Sequence, residues 1–316
     1  MLTDEFTVPS FAKINWSLRV LGKRPDGYHE IETVLQTVSL HDELFFRLDE
    51  DSDIKLFCDF PNVPTDHTNL IVRAADLLRA RFNLQSGATI RLQKKIPPGG
   101  GLGGGSSNAA IALLALSQLW GLNLSLPELT GLASQIGSDV PFFFLGGRSI
   151  ATGVGTELTP VADCAETSLV IVTPATAIST VTAYAALDSH ALTSSNSARI
   201  LANSCSEADF SSCDQWSLYN EFEKVIFEME PEIKRVREAL LDAGAQDVLL
   251  AGSGSSVFGI FESAEAQRRA LEVIQAEAGW RLFACNTLSR EKYRQALGPC
   301  VSPLLRSSMM RFDSGA

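Results

Sequence analysis

Pro97-Pro98-Gly99-Gly100-Gly101-Leu102-Gly103-Gly104-Gly105-Ser106-Ser107-Asn108 sets six glycines ahead of two hydroxyls and an apolar run, a composition suited to holding a phosphate group. Glycine lacks Cβ, so its backbone reaches positive φ and comes close to a ligand, and successive N–H groups can turn toward one anion. Residues 108–120, rich in Ala and Leu, read as a helix with Ser106 or Ser107 as N-cap and Gly121 as stop. That helix would begin at the anion, its first-turn N–H groups and dipole adding about 0.3–1 kcal/mol per interaction. A flexible linker is the competing reading of Gly and Ser. It is disfavoured because the loop is wedged between an alternating strand, Ala88-Thr89-Ile90-Arg91-Leu92-Gln93, and the apolar helix.

Several nucleotide folds use glycine loops. Gly99, Gly101 and Gly104 satisfy G-x-G-x-x-G, but a dinucleotide fold wants a buried parallel strand before the loop and an acidic residue about 20 positions on. Ile90 and Leu92 instead alternate with polar neighbours, and a second helical pattern follows Leu126-Pro127-Glu128. The P-loop is excluded more simply, because no Gly-Lys-Ser/Thr closes the run.

Other groups could work on a phosphate held there. Lys13 stands in an otherwise apolar strand, Ala12-Lys13-Ile14-Asn15, where it is costly to bury unless it meets an anion or points to solvent. Asn15 shares its face of the strand. Asp139, in Gly137-Ser138-Asp139-Val140-Pro141-Phe142-Phe143-Phe144, stands beside an apolar stretch whose partial desolvation would suit a general base. By spacing alone it serves equally as an N-cap. Ser107 is open between a hydroxyl near Mg²⁺ or the β-phosphate and a plain helix cap. Tyr28 and His29 read as exposed turn residues, Lys94 and Lys95 as an exposed basic pair, and Gly252-Ser253-Gly254 as a tight turn.

The glycine run resembles the second motif of the GHMP kinases, the superfamily of galactokinase, homoserine kinase, mevalonate kinase and phosphomevalonate kinase. Ala12-Lys13-Ile14-Asn15-Trp16-Ser17-Leu18 resembles the first motif and Leu250-Ala251-Gly252-Ser253-Gly254-Ser255-Ser256-Val257-Phe258 the third, in the family's order. Lys23-Arg24-Pro25-Asp26-Gly27-Tyr28-His29, His67-Thr68-Asn69-Leu70-Ile71-Val72-Arg73-Ala74 and Gly137-Ser138-Asp139-Val140-Pro141-Phe142-Phe143 narrow the resemblance to the 4-diphosphocytidyl-2-C-methyl-D-erythritol kinases, over about residues 9–290. The resemblance implies ATP and Mg²⁺, and phosphorylation of the 2-hydroxyl of that small-molecule substrate. It implies Asp139 as base and Lys13 beside it, orienting and polarising. Pro97, Gly99, Gly100, Gly101, Leu102, Gly103, Gly104, Gly105, Ser106 and Ser107 would cradle the triphosphate, with Asn69 and Lys94 near its base and ribose. Tyr28 would stack on the cytosine, His29 would hydrogen-bond it, and Tyr184 would be the second stacking face. Asn15, Thr180, Gly252 and Ser253 would bind substrate. No acidic residue is placed as a dedicated metal ligand, so the ion is expected to be held mainly by phosphates and water.

The elements that must position these groups are α+β in order. Expected are a hairpin of an opening segment to about residue 21 and a strand 31–40, turning at Pro25-Asp26-Gly27, then a separate strand 43–48, a helix 70–82, a strand 88–94, the loop and its helix, a helix 126–136, and a short helical or extended 141–145. A strand 168–172 opens a second unit with helices 181–187, 221–228, 231–242 and 264–276 and strands 247–250, 256–261 and 280–287. The resemblance implies a ribosomal-S5-like N-terminal domain (1–163), a ferredoxin-like C-terminal domain (164–298) and a tail (299–316). The polar stretch 191–214 reads as a mobile excursion.

The 316 residues, 45% hydrophobic and 20% charged, suit two globular domains. A net charge of −11 leaves no general basic surface for nucleic acid or an anionic membrane, so ATP must be held by local means. The first residues carry no basic or apolar leader, and no apolar run approaches the roughly 18 residues of a span. The chain is therefore expected to be cytoplasmic, as a monomer or weak homodimer, with Cys58, Cys164, Cys205, Cys213, Cys285 and Cys300 as structural thiols.

Overall fold

The computed structural model describes residues 5–193, 217–274, 277, 279–299, 301 and 305. Most of the polar 191–214 stretch lies outside them, as do Cys205, Cys213 and Cys300. Two long strands form the spine. β1 (Glu5–Lys23) and β2 (His29–Asp49) pair antiparallel across the expected turn, where the Asp26 carboxylate accepts the Tyr28 N–H at 3.1 Å. The expected break near residue 41 is not there. β2 runs through it because the strand pairs with β1 from His29 to Arg47 and, from Glu43 to Asp49, also with β4 (Gly87–Gln93) on its other edge; the ladder overrides the local polar residues.

The first sheet has seven strands, ordered β3 (Ile54–Cys58), β4, β2, β1, β8 (Tyr219–Asn220), with β5 (Arg148–Thr152) pairing β2 and β6 (Glu157–Pro160) pairing β5. Helices α1 (Leu70–Phe82), α2 (Gly104–Leu119), α3 (Leu126–Ile136) and α4 (Phe142–Leu145) cover one face. α3 starts at Ser125 in a capping box with Glu128, as S-x-x-E encodes. α2 stops where Gly121 takes φ +67° and donates to Gln118 O, while Leu122 N–H donates to Ser117 O. That is the Schellman pattern glycine permits. At its start the expected serine cap is replaced by Gly103, without a side-chain cap bond; Ser106 and Ser107 lie inside the helix.

The second sheet is antiparallel, ordered β11 (Arg281–Asn286), β7 (Ser168–Thr173), β10 (Val257–Phe261), β9 (Asp247–Leu250). Helices α5 (Thr180–Thr193), α6 (Glu223–Met229) and α7 (Pro231–Asp242) fall between β7 and β9, and α8 (Ala264–Val273) between β10 and β11, the ferredoxin-like order. Period-2 alternation divides its strands. Val170, Val172, Val257 and Phe261 face a core under the helices, whereas Leu169, Ile171, Phe258 and Ile260 meet Ala12 and Ile14 of β1 in a third core between the sheets.

The chain crosses between the units more than once. β8 pairs with β1, and α9 (Arg290–Ala296) returns to the first core through Tyr293 and Leu297. Val301 and Leu305, in the stretch expected to be a tail, are buried there as well. Their apolar side chains supply the physical reason, since leaving them in water costs about 1.5–3 kcal/mol apiece.

Candidate active site

A cleft of about 500 Å³ opens along residues 97–106, bounded by β1, the start of α1, Asp139, the start of α5 and the 252–253 turn. β1 changes register between Phe11 and Lys13. Bulges of this kind re-aim a side chain, and here Lys13 N–H donates to Leu102 O at 3.0 Å, tying the glycine loop to the strand. Ala12 and Ile14 go to the core between the sheets, so Lys13 and Asn15 face the cleft. Lys13 is 4% exposed. Its ammonium lies 3.4 Å from Asp139 Oδ2 and donates to Asn15 Oδ1 at 2.8 Å; Asn15 Nδ2 donates to Thr33 Oγ1 at 2.8 Å, and Thr33 to Ser17 O at 2.6 Å. The chain of bonds fixes a buried cation beside a carboxylate that still faces the cleft. An ionised carboxylate accepts protons and hydrogen bonds, and an ammonium stabilises negative charge.

Gly101, at φ +75°, runs against the third glycine motif so closely that a Cβ would lie 2.0 Å from Ala251 O. Ser256 N–H donates to Gly100 O at 3.2 Å, so the two motifs form one joint. Gly105 differs, because it lines the cleft and a Cβ there would have Leu70 Cδ1 at 3.7 Å as its nearest contact. With α2 beginning at Gly104, the positive end of its dipole is at the cleft wall formed by Gly104, Gly105 and Ser106.

Lys94 is no exposed basic residue. It is buried against Asp42, whose Oδ1 accepts the N–H groups of Lys95 and Ile96 at 2.8 Å each and whose Oδ2 accepts Asn108 Nδ2 at 2.9 Å. Burial holds the Lys94 ammonium below its ordinary range, with the Asp42 charge working the other way. Asn69 caps α1, accepting Ile71 N–H at 2.9 Å, and lines the cleft. Ser107 does not reach the cleft: it is fully buried with its hydroxyl 2.7 Å from Ser10 Oγ.

At the opposite end, Thr180 Oγ1 is 3.2 Å from Ser253 Oγ. Tyr184 lines the cleft, and burial, with the Asp139 charge adding, pushes its hydroxyl up to about 12. His29 stacks on Tyr184 with centroids 4.4 Å apart, while Tyr28 is 66% exposed at the hairpin tip and is not part of the cleft wall. The structure therefore brings Lys13, Asn15, Asp139, Asn69, Lys94, Pro97 to Ser106, Thr180, Tyr184, Gly252 and Ser253 to one cleft, and leaves Tyr28, His29 and Ser107 outside its lining.

The family model described as GHMP kinases N terminal domain matches residues 69–147, and the one described as GHMP kinases C terminal matches 202–279. A Pelotomaculum thermopropionicum protein named 4-diphosphocytidyl-2-C-methyl-D-erythritol kinase is 42% identical over 82% of this chain and 90% of its own length. A Solibacter usitatus protein of the same name is 39% identical over 96% of each. The chain belongs to the GHMP kinases. Within them it groups with the 4-diphosphocytidyl-2-C-methyl-D-erythritol kinases, of which one crystal structure matches with a TM-score of 0.70 at 33% identity over 89% of this chain and 99% of that one. The crystal structure of L. major mevalonate kinase in complex with R-mevalonate, at 12% identity and a TM-score of 0.67 over 91% of this chain and 98% of that one, shares the fold.

Sequence reasoning missed three residues of this GHMP kinase site. Asp42 falls in the gap between the expected hairpin end at residue 40 and the strand 43–48, although a lone carboxylate near two lysines is a usable signal once the strands are paired. Thr33 and Asp188 come from β2 and α5 and meet Asn15 and His29 only in the fold; no spacing in the chain announces them.

Proposed function

We propose that this chain transfers the γ-phosphoryl group of ATP to the 2-hydroxyl of 4-diphosphocytidyl-2-C-methyl-D-erythritol, releasing ADP and the 2-phosphate. The observation that carries the mechanism is the Lys13–Asp139 pair at 3.4 Å beside the glycine loop. The substrate's identity is supported by the names of relatives that match most of the chain. Asp139 accepts the hydroxyl proton as the oxygen forms its bond to the γ-phosphorus; the bond from that phosphorus to the β,γ-bridging oxygen breaks, and ADP departs with the electron pair. Lys13, beside Asp139, lends positive charge to the transferred group. Backbone N–H groups of the loop and the first turn of α2 hold the triphosphate.

Among the described residues no three carboxylates, imidazoles or thiols cluster as a metal site. Mg²⁺ usually keeps several waters and is bound mainly through substrate phosphates with a few protein oxygens, and Ser106 on the cleft wall would supply one such oxygen. The ion, when bound, neutralises charge on the phosphate oxygens.

A ³¹P NMR time course with ATP, Mg²⁺ and the cytidyl substrate tests the proposal. A new phosphomonoester signal alongside ADP is expected. Unreacted ATP in a folded, ATP-binding preparation, with turnover of homoserine or mevalonate instead, would refute it.

A further inference from the structure

Thr33 stands in β2 between Ile31 and Leu35, three side chains that alternate onto the cleft wall. It is the one hydroxyl of that row, and it is 3% exposed. β1 shifts register beside it, with Asn15 opposite Leu35 but Ser17 opposite Val34. Thr33 spans this bulge, its hydroxyl donating to Ser17 O at 2.6 Å and accepting from Asn15 Nδ2 at 2.8 Å. A threonine hydroxyl has a single hydrogen. With that hydrogen given to Ser17 O, the oxygen only accepts, so Nδ2 of the Asn15 carboxamide must face Thr33 and Oδ1 must face away. There Oδ1 meets Lys13 Nζ at 2.8 Å, and an ammonium only donates. The bonds thus run in one direction, from Lys13 through Asn15 and Thr33 to a main-chain carbonyl. Reversing the amide would set donor against donor at Lys13 and acceptor against acceptor at Thr33. Asn15 lines the cleft, and the second hydrogen on its Nδ2 has no protein partner among the described residues.

We propose that Thr33 is a positioning residue for phosphoryl transfer: by fixing the Asn15 carboxamide it aims an N–H at the oxygen of the hydroxyl to be phosphorylated and tethers the Lys13 ammonium beside Asp139. Lys13 Nζ lies 3.4 Å from Asp139 Oδ2 and 2.8 Å from Asn15 Oδ1, so the carboxylate and the amide flank one ammonium. A hydroxyl held between them accepts from Asn15 through its oxygen and gives its hydrogen to Asp139. A reversed amide would offer Oδ1 instead and compete with Asp139 for that hydrogen. The proposal rests on the phosphoryl-transfer reading above.

The test compares the parent protein with Thr33→Val, Thr33→Ala, Thr33→Ser, Asn15→Ala and the double variant Thr33→Val with Asn15→Ala, using ATP and the cytidyl substrate. Valine fills the volume of threonine without the hydroxyl, so Thr33→Val should lower kcat by about tenfold or more while the KM for ATP moves less than about threefold. Thr33→Ala should match it, and stands in for it where valine impairs folding. Thr33→Ser keeps the hydroxyl and should stay within about threefold of the parent. Because Thr33 acts through Asn15, adding Thr33→Val to Asn15→Ala should cost less than about a further twofold. Near-parent kcat in Thr33→Val overturns the proposal. So does an equal loss in Thr33→Ser, or the full cost of Thr33→Val in the Asn15→Ala background, since Thr33 would then act by packing or by meeting substrate itself. A readout apart from turnover comes from side-chain ¹H–¹⁵N spectra, with the Asn15 amide pair assigned by its loss in Asn15→Ala. That pair should exchange with solvent at least about tenfold faster in Thr33→Val than in the parent, and equal rates refute the role of Thr33. A parent that releases no ADP with the cytidyl substrate overturns the phosphoryl-transfer reading instead, while the exchange rates still decide whether Thr33 holds Asn15.

Discussion

Gly101 and Gly105 stand four residues apart in one glycine run, yet alanine should act on them in opposite ways. At Gly101 the backbone is at φ +75°, and a methyl group would lie 2.0 Å from Ala251 O and 3.0 Å from Gly254 O. The left-handed conformation costs an L residue about 1–2 kcal/mol. Forcing a methyl against two main-chain oxygens adds about 1–3 kcal/mol, since neither can rotate away as a side chain would. Gly101→Ala should thus destabilise by roughly 2–5 kcal/mol, lowering Tm by about 4–10 °C. It should also raise the KM for ATP, because the joint it pries apart holds the loop. Gly105→Ala meets only Leu70 Cδ1 at 3.7 Å and lies inside helix α2, where alanine gains about 0.5–1 kcal/mol over glycine. Its Tm should rise by a degree or two, about what that gain implies, while its KM for ATP rises because the methyl enters the cradle. Thermal melts without nucleotide and steady-state ADP release separate the two effects. A Gly101→Ala protein that melts with the parent would refute the packing account, and an unchanged KM in Gly105→Ala would refute the placement of triphosphate there.

Asp139→Asn should keep the KM for ATP within a few-fold while kcat falls by about 10² or more, the usual scale for a general base; near-normal turnover would remove Asp139 from proton transfer. Asp42→Asn leaves the Lys94 ammonium buried without its counter-charge and should destabilise by about 3 kcal/mol or more in urea. Asp42→Asn combined with Lys94→Met should recover part of that loss, and no recovery would show that Asp42 matters through residues 95, 96 and 108 instead. Tyr184 holds its proton more tightly folded, at about 12, than in the open chain near 10.0. Its contribution to stability is accordingly full below pH 10 and lost as pH rises through about 12. Difference absorbance at 295 nm between parent and Tyr184→Phe should show one phenol titrating near 12; a midpoint near 10 would mean that Tyr184 is not buried as described.

The helices with strong local signals were legible in the chain. α1, α3 and α7 span the residues their patterns predict, because capping residues and 3.6-residue periodicity are local properties. β3, β5, β6 and β8 were not legible. At two to five residues each they are too short to show alternation; partners far away in sequence hold β3, β5 and β8 extended, and β6 pairs with β5 alone. The serine cap of α2 failed for a different reason. Gly103 already supplies the left-handed residue that turns the loop into the helix, which places the serines inside α2.

The candidate site divides along the same line. Lys13, Asp139 and the glycines could be singled out because each residue type breaks a local rule: a charge in an apolar strand, a carboxylate before phenylalanines, six glycines before a helix. Asp42, Thr33 and Asp188 break none. Asp42 is an ordinary polar residue until β2 and the end of β4 are adjacent, and then one carboxylate gathers Lys94, two backbone N–H groups and Asn108 beneath the loop. The residues that hold a site in place interact mainly with other protein groups, so their chemistry is complete only after folding; residues that meet the ligand carry groups the fold leaves unspent. A sequence shows the second kind as anomalies. The first kind becomes visible when the sheet register brings its partners together.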